Sequence, residues 1–362
     1  MKHILSTVLA LLVLLPVSAS AQSLDMNWRH NDDDQKWSVK MKGDIEFADD
    51  DASVRTMSRN AVIQIRWEEG RKDVRLDVER SGGEIVYDFR EDGKKMSTAS
   101  AGSQIGDLLL MVIRQTGVHA DRRVARILAH GGPEAVLREI GQIKSGGTTS
   151  RYLRELVAQG ELNRANLVEV IKVAEPRIAS SGDRSRLLIG ISEYYVGDPG
   201  AMSAWTAAVR GVSSSGDKSR VLISALQVEL DAASLTAILD VIKTVSSSGD
   251  KSRVLITATG QYRNDSEVRR AFFKAAETVS SDGDLSRVLI ATLRRADLDD
   301  QSMITLFTVA RTISSSGDKA RVLIAATSHV EGEAVEEAFM DAAETVGSSG
   351  DRGRVLSALM RG

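Results

Sequence analysis

VSSSGDKSRVL, residues 212–222, recurs unchanged at 245–255. Close copies follow the same pattern: IASSGDRSRLL at 178–188, VSSDGDLSRVL at 279–289, ISSSGDKARVL at 313–323 and VGSSGDRGRVL at 346–356. A divergent copy, IKSGGTTSRYL, occupies 143–153. The shared glycines are Gly147, Gly182, Gly216, Gly249, Gly283, Gly317 and Gly350, spaced 35, 34, 33, 34, 34 and 33 residues apart. A period near 34 residues predicts a stacked repeat array, because one such unit cannot bury its own apolar face.

One period, residues 212–244, shows the unit. Ser214 is placed to cap a helix, and Asp217 three residues on resembles the acidic arm of a capping box. The helix continues through Arg220, Val221, Leu222, Ala225 and Leu226. Asp231 then opens a second helix whose Leu235, Ile238, Leu239 and Ile242 form one apolar stripe. The same logic over residues 143–362 predicts six helix pairs and an unpaired final helix, Asp351 to Met360. The recurring glycine is expected where an unusual backbone is useful between helices.

The recurring arginine lies three residues after the aspartate in six copies. The pairs are Asp183/Arg186, Asp217/Arg220, Asp250/Arg253, Asp284/Arg287, Asp318/Arg321 and Asp351/Arg354. At that spacing the two meet on one helix face. Stacking is expected to bring each arginine near the aspartate of an adjacent unit as well, giving a ladder that holds repeats together and could recruit a ligand. Lys218, Lys251 and Lys319 stand beside the helix starts, where free N–H groups attract anions. That edge is the second candidate surface. The final helix carries Leu356, Leu359 and Met360 as a possible contact face for a second copy or a partner.

Upstream of the array the pattern changes. Residues 1–21 read as a signal peptide: Lys2, an apolar run from Ile4 to Pro16, and Ala19-Ser20-Ala21 before cleavage. Export to the periplasm, or secretion, is therefore expected. Residues 22–36 (QSLDMNWRHNDDDQK) are polar enough to read as a flexible leader. Residues 37–96 alternate with period two between turn signals such as Ser81-Gly82-Gly83 and Asp92-Gly93. This predicts a small antiparallel sheet of four or five strands, apolar on one face and charged on the other. Adjoining helices are expected to cover it. Residues 97–142 read as a linker (97–103) and divergent helices, broken at Gly131-Gly132-Pro133. The fold class is thus α+β, mainly α: a right-handed α-α solenoid of HEAT or armadillo type behind a small β domain.

Composition limits function. Residues 22–100 carry 18 acidic and 14 basic side chains, and residues 101–362 carry 32 of each. Neither part is a basic domain, so nucleic acid is not an expected partner. There is no cysteine, hence no disulfide and no thiolate metal site. His30, His119, His130 and His329 do not have metal-ligand spacing, and HExxH is absent. The Asp49-Asp50-Asp51 and Asp32-Asp33-Asp34 runs lack the spaced oxygens of a calcium loop and read as solvated turns. SSSGDKSR lacks the full phosphate-loop spacing. No catalytic residue, cofactor or metal ligand is nominated.

The order of segments, with GDIEFADDDASVRTMS, then QTGVHADRRVARILAHGGPEAVLREI at 115–140, then the repeats, resembles a group of uncharacterised exported bacterial proteins. Similar repeats follow the peptidase part of membrane metallopeptidases of the beta-lactam-sensor type. The resemblance implies export and HEAT-like helical repeats and carries over no catalytic residue. The expected function is a protein–protein interaction scaffold of the cell envelope. A glycan or polyanion binder using the helix-start edge is the alternative, and an enzyme is not expected.

Overall fold

The computed structural model describes residues 23–31 and 35–361. The expected signal peptide and the aspartates at 32–34 lie outside the described residues. The chain divides into two compact units, one ending at Thr116 and the other beginning at Gly117.

The first unit is built on a six-stranded antiparallel sheet in the order β1-β2-β5-β6-β7-β8. The strands are β1 (Leu24–Asn31), β2 (Gln35–Gly43), β5 (Val62–Glu69), β6 (Lys72–Ser81), β7 (Glu84–Glu91) and β8 (Lys94–Met96). Between β2 and β5, β3 (Ile45–Phe47) and β4 (Val54–Met57) form a separate hairpin. In register, Val39 faces Ile65, Ile65 faces Leu76 and Leu76 faces Phe89. All four are essentially inaccessible to solvent. The alternate residues Arg66, Asp77, Arg75, Asp73, Arg90 and Asp88 make ion pairs on the other face. The Tyr87 hydroxyl accepts the Val54 N–H at 2.9 Å and ties the hairpin to β7. Helix α1 (Thr98–Thr116) buries Ile105, Leu108, Leu109 and Val112 and packs against β7. A Cβ on its Gly106 would stand 2.9 Å from the Ala52 Cβ, so the helix and the β3–β4 connection meet at a side-chain-free point.

Three expectations are corrected here. Of the stretch read as a leader, residues 24–31 are β1 and residues 35–36 open β2: Leu24, Met26 and Trp28 alternate with exposed residues along an edge strand. The stretch read as a linker at 97–103 is the first turns of α1, where Ala101 is already fully buried. Only Ala101 of that stretch is buried; the other residues are exposed, and from Thr98 on they lie in regular helix. The strand count also exceeds the expected four or five.

The second unit begins with α2 (Ala120–Ile140). It bends where Gly132 takes φ 66° and ψ −169°, immediately before Pro133, at the break the sequence indicates. The repeats follow. Their first helices are α3 (Gly146–Gln159), α5 (Ser181–Ile191), α7 (Ser215–Ala225), α9 (Ser248–Ala258), α11 (Asp282–Arg295) and α13 (Ser316–Ala326). Their second helices are α4 (Arg164–Arg177), α6 (Pro199–Arg210), α8 (Ala232–Ile242), α10 (Ser266–Ala276), α12 (Asp300–Arg311) and α14 (Glu333–Glu344). Helix α15 (Ser349–Leu359) is the last helix among the described residues. Each first helix packs on the neighbouring first helices and each second on the seconds, giving two layers. One apolar core runs from Ala120 to Val355. The phrase's Val-Leu pair supplies it: Val221, Leu222, Val254, Leu255, Val288, Leu289, Val322 and Leu323 are all at 0% exposure. Fully burying such a side chain contributes roughly 1.5–3 kcal/mol. The architecture is therefore an α+β fold with a helical solenoid.

The recurring glycine is a further correction. Gly216 is the second residue of α7, and none of the seven repeat glycines is among the residues of positive φ. The turn between helices is completed before it, by the preceding Val-Ser-Ser, so the glycine sits inside a regular first turn.

Candidate functional site: the repeated helix start

Each position of the phrase has a separate physical task. The second serine caps its own helix. Ser180, Ser214, Ser247, Ser281, Ser315 and Ser348 each accept the N–H of the residue three on, at 3.2–3.4 Å. The third serine reaches the next repeat. Ser215 Oγ accepts the Ser246 and Ser247 N–H groups, Ser248 Oγ that of Ser280, Ser316 Oγ that of Ser348 and Ser181 Oγ that of Ser214. Where this serine is replaced by Asp282, its carboxylate takes the Ser315 N–H instead, at 2.8 Å. The serine before the arginine is small enough to be buried between first helices, as at Ser219, Ser252 and Ser286. Ser286 Oγ also donates to the Asp318 carbonyl of the next unit.

The lysines lie elsewhere than on an exposed edge. Lys218, Lys251 and Lys319 are only 5–7% exposed. Each ammonium donates to a carbonyl just beyond its repeat's second helix: Lys218 to Thr244 at 3.3 Å, Lys251 to Thr278 at 2.9 Å and Lys319 to Thr345 at 3.1 Å. A cation at a helix C-terminus opposes the negative end of the helix dipole. Burial moves all three lysine pKa values downward. Arg184 does the same work for the Gly211 and Ile178 carbonyls, and Arg352 for that of Val346.

The Asp–Arg pairs form within single helices. Arg186, Arg220, Arg253, Arg287, Arg321 and Arg354 each bond through Nη2 to the aspartate three residues before. The arginine side chains are 65–69% exposed, whereas the aspartate side chains are 11–20% exposed. Arg220 and then Ser181 of the preceding repeat hold the Asp217 carboxyl below the usual range. Arg354 does so for Asp351. Thus the aspartate leans toward its neighbour and the arginine faces solvent. The ion pairs that cross between repeats use other residues, among them Arg164–Asp198 and Arg269–Asp299 on the second-helix layer.

At the far end, Val355 of α15 is buried, Leu356 and Leu359 are half-buried, and Met360 is 81% exposed. Near the start of the array, buried Arg123 bonds Glu139 at 2.8 Å and the Tyr152 hydroxyl at 3.1 Å. This network bridges the two halves of the bent α2 and docks them on α3. Arginine, glutamate and tyrosine spaced sixteen and thirteen residues apart gave no periodic signal in the sequence. The serine clasps join residues 31–33 apart, beyond the reach of spacing within one helix.

Of the two histidines in α2's neighbourhood, His119 precedes the helix with φ 52° and His130 Nδ1 meets the Arg126 carbonyl at 2.7 Å. Asp49 pairs with Arg55, and Asp50 accepts the Ala52 N–H, as in an ordinary turn. Among the described residues no group of three or more His, Cys, Asp or Glu is placed to hold a metal ion. No helix among them is long and apolar enough to cross a membrane. Compared with known proteins, the chain matches no family model, no curated protein and no solved structure.

Proposed function

We propose that this protein is an exported, non-catalytic protein-interaction scaffold of the cell envelope, built on HEAT-like repeats. One observation carries the reading. The phrase spends its serines, lysines and aliphatic pairs on building and stacking the units, yet returns an exposed arginine at the same place in α5, α7, α9, α11, α13 and α15. An array that repeats an exposed group at constant spacing offers an extended binding surface, the use to which solenoids are suited. The alternative, a glycan or polyanion on the helix-start edge, keeps the arginines in its favour. It loses Lys218, Lys251 and Lys319, which are turned into the fold.

Photo-reactive residues placed singly along the exposed helix faces test the scaffold reading in intact cells. Discrete protein adducts are expected, in an envelope fraction that contains the chain beginning at Gln22. Adducts confined to glycan, or a chain that stays in the cytoplasm with Met1 intact, would contradict it.

A further inference from the structure

The arginine is one member of a stripe. In α5, α7, α9, α11 and α13 it is preceded four residues earlier by the glycine and followed three residues later by isoleucine: Ile189, Ile223, Ile256, Ile290 and Ile324. Residues at i, i+4 and i+7 share one helix face. A Cβ on Gly249 or Gly317 would meet nothing within 4 Å, so neither crowding nor backbone conformation requires the glycine. The isoleucines are half-buried apart from Ile324, which is 37% exposed. Side by side, the first helices therefore present two parallel rows, one of guanidinium groups and one of isoleucine side chains.

We propose that this face binds an extended, acidic segment of a partner protein, with a carboxylate on each arginine and an apolar residue against the isoleucines. The inference rests on the scaffold reading and names the surface and the partner's chemistry. Charge complementarity carries it. Each aspartate takes one Nη2 hydrogen bond and is tucked toward the helix, while the rest of a five-donor guanidinium fork faces outward. A fork of that shape fits a carboxylate. Spacing favours an extended chain. Packed helices lie about 8–10 Å apart, and a polyproline-II segment turns once in three residues at ~3.1 Å each. An acidic residue at every third position would thus meet one arginine per repeat. The apolar row favours a peptide over a glycan, because the stripe offers aliphatic side chains and no aromatic ring for a sugar face to stack on.

The test uses the full mature chain and a labelled peptide of repeated Glu-Pro-Leu triplets, with Lys-Pro-Leu and polygalacturonate as controls. The wild type is expected to bind the acidic peptide, more weakly as salt rises, and not the basic one. The combined R220Q, R253Q, R287Q and R321Q variant should lose roughly tenfold or more in affinity with its helical circular dichroism intact. The combined I223S, I256S and I290S variant should also weaken binding. Replacing the four arginines by glutamate should transfer binding to the basic peptide, a swap that damage to the fold could not produce. Equal binding of both peptides, no effect of the arginine variant, no peptide binding by the wild type, or arginine-dependent binding of polygalacturonate in its place would each overturn the proposal. Photo-cross-linking separates the two levels. Protein adducts from Arg270, exposed on α10 of the second-helix layer, but not from Gly249 on the stripe would sink this inference and leave the scaffold standing. Absence of protein adducts at both positions would remove the scaffold itself.

Discussion

Lys251 and Arg253 are two residues apart in α9 and carry the same charge, yet their environments assign them opposite roles. The Lys251 ammonium is buried against the Thr278 carbonyl, and the Arg253 guanidinium is mostly in water. Lys251→Ala leaves a buried acceptor unpaired and should cost about 1–3 kcal/mol. Arg253→Ala removes an exposed ion pair and should cost less than about 1 kcal/mol. Urea denaturation of the two variants checks this, and a larger loss for Arg253 would restore it as the element that joins repeats. Acid sensitivity is a second consequence at this scale. Arg90 and Lys95 hold Asp88 at about 2, and Arg220 and Arg354 depress Asp217 and Asp351. Carboxylates depressed in the folded state stabilise it at pH above their unfolded value, near 4, and lose that contribution as pH falls through the folded values. Thermal melts should therefore show Tm constant down to about pH 5 and falling toward pH 2, with a shallower fall in Asp217→Asn. A Tm that does not change over this range would contradict the pairing.

Among the elements, legibility followed periodicity. The repeat's helix starts and ends, the Ser214 and Asp231 caps and the break at Gly132 were readable because each rests on local chemistry within three or four residues. Strand β1 was not: its outward Asp25, Asn27 and Arg29 are as polar as a leader, and only pairing with β2 reveals the alternation. The glycine's residue type points to an unusual backbone that the regular helix start does not contain. The inter-repeat role of Ser215 and the inward turn of Lys218 depend on neighbours about 30 residues away, which sequence spacing alone does not place. Helix α15 gives an element-scale prediction. Its Leu356 occupies the position that is fully buried in Leu222, Leu255, Leu289 and Leu323, yet remains half-buried. Replacing Leu356 and Leu359 by glutamate should reduce self-association or partner binding while leaving helicity nearly unchanged. Sedimentation velocity and circular dichroism together check it. Loss of helicity with association unaltered would make α15 a cap only.

Across the whole molecule, the division into two units and the two-layer stacking imply that stability in the array is a sum over units and their interfaces. Among the described residues, each clasp, cap and aliphatic pair of the phrase joins a unit to itself or to the next. The outward arginine row depends on this arrangement, because its spacing is the stacking distance. The most direct measurement is urea unfolding of a variant lacking Val245–Thr278, one complete period that leaves the phrases before and after it in phase. The account predicts a folded, helical, cooperatively unfolding protein with a smaller m-value, in keeping with the surface removed. A chain that no longer folds after this in-register deletion would show one indivisible core, and would contradict the repeat array on which the rest depends.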